Sequence, residues 1–203
     1  MASDYAEERR IAELAIQRAS LLTQTVLLAR DKGSLNKEDN SLVTIADFGA
    51  QALIISAIRH NFPQDIFIGE EDAKALRSDK QLQQRVWELV SSTHLDDKES
   101  EEMLGTVNSR EEMLEVIDLG SSTSSQKGRV WVLDPVDGTK DFVRGAQYAV
   151  CLALLEKGIQ KVGVLGCPNL NTDATNIFDG PPKTPGPGII ISAVSGYGAT
   201  TRP

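Results

Sequence analysis

The sequence predicts an α+β chain in which two long helices precede a β-rich part that begins near residue 130. Three observations carry this. Over residues 6–30 the apolar side chains Ile11, Leu14, Ala15, Leu22, Val26 and Ala29 recur at spacings of three and four, one face of a helix. A second helix begins near Thr44, with Phe48, Leu53, Ile54, Ala57 and Ile58 apolar, and ends around "RHNFP". From residue 130, "RVWVLD", "QYAVCLALLEKG" and "IQKVGVLGCP" are aliphatic and β-branched runs, the last two joined by a hairpin-like "EKGIQ".

The remaining elements follow in order. "DKGSLNKEDNS" reads as a polar linker between the two helices, and "DIFIG" as a short strand followed by a polar helix over roughly 72–90. Residues 91–129 form an acidic segment ending in the loop-like "GSSTSSQKGR". Residues 179–188, "DGPPKTPGPG", are too rich in proline and glycine for either regular structure, and "IIISAVSGYGAT" reads as another strand and turn.

Composition narrows the function classes. Aromatics make up only 5% of the 203 residues, so aliphatic side chains must build the core. No stretch approaches the roughly 18–20 uncharged apolar residues of a membrane span, and the amino terminus lacks a signal-type apolar region. A cytoplasmic chain with no membrane partner is the expectation. Cys151 and Cys167 sit in apolar runs and read as buried reduced thiols. Net charge is −8, and residues 91–119 concentrate it, nine acids against two bases. Such a run reads as a solvated helical surface and excludes a nucleic-acid-binding face there. His60 and His94 lack metal-ligand spacing, and Trp87 and Trp131 suit core packing.

Three places carry acids at the ends of elements. In "LDPVDGT", Pro135 biases Asp134 toward extended geometry, so the strand runs to Asp134 and then turns. Gly138 tolerates the positive φ of a reversal, and Thr139 caps the short helix "TKDFVRG". The stretch reads either as an Asp-Pro turn or as two carboxylates, Asp134 and Asp137, facing one cation. In "FIGEEDA", Glu70 and Glu71 are either a solvated pair opening a helix or a second set of hard oxygen donors. In "SLVTIADFGAQALI", Thr44 and Asp47 have the spacing of a helix cap, which alone explains them, or Asp47 joins the other acids. Carboxylates gathered in one pocket repel unless a cation sits among them.

These residues carry a resemblance. "GEE" followed by "WVLDPVDGTKDFVRG" is similar to the lithium-sensitive, magnesium-dependent phosphomonoesterase superfamily that includes inositol monophosphatase. "DNSLVTIADFGAQALIISAIRHNFP", "KGRVWVLDPVDGTKDFVRGAQYAVCLALLEKG" and "VGVLGCPNL" resemble its 3'(2'),5'-bisphosphate nucleotidase branch, over about residues 6–199. The resemblance implies a layered α/β sandwich of the sugar-phosphatase/inositol monophosphatase type, here its amino-terminal half: two long helices on a mostly antiparallel sheet. It implies two or three Mg2+ ions. Glu70, Asp134 and the Val136 carbonyl would hold one; Asp134 and Asp137 a second; Glu71 a third or its waters. Asp47 and Thr139 would orient and deprotonate the attacking water, and the Gly138 and Thr139 amides would hold phosphate. The implied substrate is a small nucleotide bisphosphate, 3'-phosphoadenosine 5'-phosphate or its sulfated relative, in sulfate assimilation and salt tolerance.

Two departures stand out. Asp141 occupies a position where the branch tends to carry a small residue. The family also runs on for a carboxy-terminal half that supplies a further metal carboxylate and the base and ribose contacts. On the resemblance, residues 1–203 are the amino-terminal metal-binding half, a truncated form with an open sheet edge and an apolar face prone to self-association, whereas the complete enzyme would be a monomer. The alternatives are an inositol phosphate phosphatase of the same superfamily, and a catalytically incompetent metal-binding remnant acting by association.

Overall fold

The computed structural model describes residues 5–31, 41–122, 128–170 and 188–202. Of the loops expected over 31–41, 120–129 and 179–188, residues 32–40, 123–127 and 179–187 lie outside the described residues. Helices α1 (Ala6–Asp31) and α2 (Ser41–Asn61) pack against each other and against a six-stranded sheet. The strands are β1 (Ile66–Ile68), β2 (Arg129–Asp137), β3 (Ala149–Glu156), β4 (Ile159–Cys167), β5 (Ile189–Val194) and β6 (Gly198–Arg202), adjacent in chain order. Only β1–β2 is a parallel pair among them. The helices α3 (Lys74–Ser78), α4 (Lys80–Ser92), α5 (Lys98–Met103) and α6 (Arg110–Leu119) lie between β1 and β2 in sequence, the crossover a parallel pair requires. The last helix, α7 (Thr139–Arg144), follows β2 directly.

α2 begins at Ser41, not near Thr44, so Thr44 and Asp47 lie inside the helix rather than at its cap. Leu42, Phe48, Leu53, Ile54, Ile55 and Ile58 are all buried, with α1, β2, α4 and α6 around them. No apolar stretch is free of charge over the length of a membrane span, Asp47 and Arg59 interrupting the most apolar helix. Leu42–Asn61 has the length and mean hydropathy for it, but 83% of that window is buried within the fold, the mark of a core helix.

The polar helix expected over 72–90 is two helices. Asp79 interrupts it and caps α4, its carboxylate accepting from the amides of Gln81 and Leu82. The acidic segment is also less solvated than its charge suggests. Met113, Leu114, Val116 and Ile117 bury one face of α6 against α2. Glu101 of α5 accepts from Arg18, which is 2% exposed and also donates to the carbonyls of Gly105 and Leu53.

β3 and β4 form the expected hairpin, Lys157 and Gly158 both taking positive φ at its tip. The stretch read as one strand and a turn is itself a hairpin, because β6 forms. Val150, Leu152, Leu154, Val162, Val164 and Ile190 face the helices and are buried. The outer face carries Val132, Cys151, Ala153, Leu165, Ile191 and Ala193, which line an open concavity of about 470 Å³ that reaches Asp134. Cys151 is half-buried and Cys167 buried, both as free thiols. Trp131 is buried in the core, its indole N–H donating to Asp65.

Arg18 joins α1, α2 and the acidic segment through one guanidinium. Arg18→Ala leaves Glu101 and two carbonyls short of their donor and is expected to cost about 3 kcal/mol. Equilibrium urea unfolding measures it; a loss under about 1 kcal/mol would mean the segment is held by α6 packing alone.

Candidate active site

The spacing of Asp134 and Asp137 poses a geometric problem. Side chains alternate across a strand, so residues three apart face opposite sides of the sheet. β2 solves this with a bulge. Asp134 pairs with Cys151 and Asp137 with Ala149, so three steps on β2 oppose two on β3. Cys151 and Ala149 share a face, and the extra residue brings both aspartates to that same face. Pro135, which has no N–H to give the ladder, falls within the bulge, where that loss is tolerated. The strand therefore does not end at Asp134, as the sequence reading has it, but continues through the irregularity to Asp137.

Beyond Asp137 the chain turns through Gly138 at φ 92°, the N-cap of α7. Thr139 is thus the first helical residue and not the cap. Its hydroxyl donates to the Val136 carbonyl at 3.3 Å, while the Val136 N–H donates to Asp134 Oδ1 at 3.2 Å. The turn is packed from below by Phe142 and Tyr148, whose rings meet edge to face at 4.9 Å. The Tyr148 hydroxyl shares a 2.7 Å hydrogen bond with Thr23 of α1. Asp141 points outward and faces Arg144 at 3.9 Å.

Glu70 and Glu71 do not open a helix: α3 starts at Lys74, and the two acids stand in the loop after β1. Three fixtures hold that loop. The Gly69 N–H donates to the Gly120 carbonyl at 2.8 Å, and the Ala73 N–H to Asp118 Oδ1 at 2.8 Å. Between them, the buried amide of Gln51 bonds the backbone of Glu71. Neither Gln51 nor Asp118 stands out in the sequence; a lone glutamine one turn after Asp47 in an apolar helix is the only trace.

The negative charges of the three elements act on one another. Asp47 is 8% exposed, and burial followed by the charges of Glu71, Glu70 and Asp134 pushes its carboxyl up to about 8. Burial, then Glu70 and Asp72, raises Glu71. Burial, then Glu70 and Asp137, raises Asp134, against the opposing hydrogen bond from Val136. Among the described residues, no three His, Cys, Asp or Glu side chains close on one point as a finished ligand set. The donors are hard oxygens, and burial together with neighbouring negative charge raises Asp47, Glu71 and Asp134 alike; both features fit a divalent cation of the magnesium type.

Comparisons with known proteins bear on the family and the fold. Residues 3–201 match the family model described as the inositol monophosphatase family. The chain is 52% identical over 205 residues to the 3'(2'),5'-bisphosphate nucleotidase of Emericella nidulans, covering 98% of this chain and 58% of that protein. It is 48% identical to the Schizosaccharomyces pombe protein of the same name, covering 94% of this chain and 54% of the other. The chain thus spans about half the length of the curated relatives it matches. Among solved structures, CysQ from Bacteroides thetaiotaomicron, a bacterial member of the inositol monophosphatase family, superposes with TM-score 0.55 at 17% identity, covering 98% of this chain and 50% of that one. Staphylococcal IMPase-II follows the same fold with TM-score 0.53 at 18% identity, over 96% of this chain and 47% of its own.

Asp47 contributes to the pH dependence of the chain without added metal, in the same direction as Glu71 and Asp134. Its folded-state pKa lies above the unfolded value, so the folded protein binds more protons between the two, and stability falls as pH rises from about 4 toward 8. Asp47→Asn is expected to flatten that slope and to stabilise the chain at pH 8 by on the order of 2 kcal/mol. Urea unfolding from pH 4 to pH 8 checks it, and a slope unchanged by the substitution would count against the convergence.

Proposed function

This chain belongs to the inositol monophosphatase family, and on that premise we propose that the complete protein is a Mg2+-dependent 3'(2'),5'-bisphosphate nucleotidase. The reaction would remove the 3'-phosphate of 3'-phosphoadenosine 5'-phosphate, or of its sulfated relative, in the cytoplasm and in the context of sulfate assimilation. The observation that carries this reading is the β2 bulge. It presents Asp134 and Asp137 to one side of the strand end, beside the acids of two other elements.

Glu70, Asp134 and the Val136 carbonyl would hold one Mg2+, Asp134 and Asp137 a second, and Glu71 a third or its waters. When bound, the ions supply positive charge that offsets the phosphate and stabilises the leaving oxygen. The remaining work falls to the chain itself. Asp47 would take a proton from the attacking water as its oxygen bonds to phosphorus and the ester P–O bond breaks. Burial, followed by its acidic neighbours, raises Asp47 to about 8; offsetting the neighbours' charge would lower it again and leave the carboxylate free to act as the base. Thr139 would orient the same water through its hydroxyl, already poised on the Val136 carbonyl. The Gly138 and Thr139 amides would receive phosphate at the turn. Asp141, exposed and facing Arg144, takes no part. Base and ribose recognition would come from the part of the relatives' length that this chain does not span.

The test is phosphate release by protein carried to the length of its relatives, with adenosine 3',5'-bisphosphate set against inositol phosphates. Magnesium-dependent, lithium-sensitive release from the bisphosphate, abolished in Asp134→Asn, is expected. A preference for inositol phosphates would move the protein to the other branch. In the 203-residue chain, calorimetric Mg2+ titration should show a larger loss for Asp134→Asn than for Asp137→Asn, because Asp134 would touch two ions. Turnover by that chain alone should stay near the Asp134→Asn blank, since misplacement of substrate costs on the order of a hundredfold or more in rate. Release well above the blank would show that these residues suffice.

A further inference from the structure

We infer that Gln51 is a positioning residue: its side-chain amide clamps the Glu70–Glu71 loop to the helix that carries Asp47, and so sets the separation of the acids. The inference rests on the metal-site reading above and adds to it a residue that binds no ion itself.

Gln51 is fully buried, one helical turn beyond Asp47. Its Nε2 donates to the Glu71 carbonyl at 2.8 Å, and its Oε1 accepts from the Glu71 N–H at 3.1 Å. The amide thus pairs both backbone groups of one residue, as a neighbouring strand would. The second Nε2 hydrogen goes to the Ile117 carbonyl of α6 at 2.9 Å. One side chain therefore joins three elements: the acidic loop, α2 and α6.

The backbone around it leaves room for nothing else. A Cβ on Gly69 would lie 2.5 Å from Gln51 Oε1, and one on Gly120 would lie 2.6 Å from Nε2. Both glycines are where the amide passes between β1 and the end of α6, and the Gly69–Gly120 backbone bond closes the same gap. Only a neutral amide meets all three demands. A carboxylate could accept from Glu71 but could not donate to either carbonyl, and it would add a further acid beside Asp47. A hydrocarbon of the same size would leave two carbonyls and an N–H without partners. The other fixtures of the loop, at Gly69 and Ala73, reach only toward α6 and its C-terminal end. Gln51 is a hydrogen-bonded link from Glu71 to the Asp47 helix.

Gln51→Met keeps the side-chain volume and removes the clamp. Gly69→Ala leaves Gln51 in place and displaces its amide, and it carries the same test if the first variant does not fold. Asn61→Ala serves as the control. Asn61 is another side-chain amide of α2, donating to the carbonyls of Ala57 and Met103 at the far end of the helix, so its loss lowers stability without touching the loop. Two readouts are taken on the 203-residue chain: hydrogen exchange at the Glu71 amide without metal, and Mn2+ affinity by electron paramagnetic resonance. Gln51→Met should abolish protection at Glu71 and weaken Mn2+ binding about tenfold, the scale on which outer supports of metal ligands act. Asn61→Ala should change neither. Unchanged exchange at Glu71 overturns the clamp. Lost protection with unchanged Mn2+ affinity overturns the positioning role. A parent chain that binds no Mn2+ overturns the metal reading and the role with it, while the exchange data still decide the clamp.

Discussion

Leu42, Ile45, Phe48, Leu53, Ile54, Ile55 and Ile58 point in every direction around α2, so the helix has no face to give to water and must be enclosed. α1, β2, α4 and α6 supply the walls. That enclosure fixes the crossover from β1 to β2, since α4 and α6 are the middle of it, and it fixes where the crossover can return to the sheet. It also carries Asp47 into surroundings that a carboxylate does not choose. The helix is buried for apolar reasons, and the acid travels with it. Its high proton affinity follows from burial first and from its acidic neighbours second.

The same enclosure explains why the loop after β1 is so firmly tied. A turn bearing Glu70 and Glu71 beside Asp47 and Asp134 is pushed outward by repulsion, and few apolar side chains in it oppose that push. Hydrogen bonds from Gln51, Asp118 and the Gly120 carbonyl do so instead. Each of these partners comes from α2 or from the end of α6, elements already pinned by the core. Stability is thus transferred from the apolar interior to an acidic rim.

Much of this was legible in the sequence. Helical periodicity over 6–30, the apolar run after Leu42 and the β-rich blocks after 130 each reported the burial of one element, and burial is what periodicity encodes. The acids at Glu70, Glu71, Asp134 and Asp137 were legible by type and neighbourhood. What stayed hidden was relational. The carboxylate of Asp118 reads as one more charge in an acidic run until the Ala73 amide is placed beside it, and Gln51 reads as an ordinary helix former until Glu71 reaches it. Asp79 looked like one acid in a polar helix, though it divides that helix in two. Thr44 and Asp47 imitate a cap and so point to a later start for α2, and local chemistry does not reveal that the helix has already started at Ser41.

The bulge in β2 has a consequence for how this stretch can vary. Because the orientation of Asp137 depends on counting residues from Asp134, and not on what those residues are, chain length there is constrained more tightly than side-chain identity. A different apolar residue at Val136 leaves the parity intact, whereas removing a single residue, even with every carboxylate retained, turns Asp137 to the opposite side of the sheet. In the segment from Asp134 to Asp137, insertions and deletions are the damaging class of change, and a substitution that merely looks severe can leave the acids where they stand.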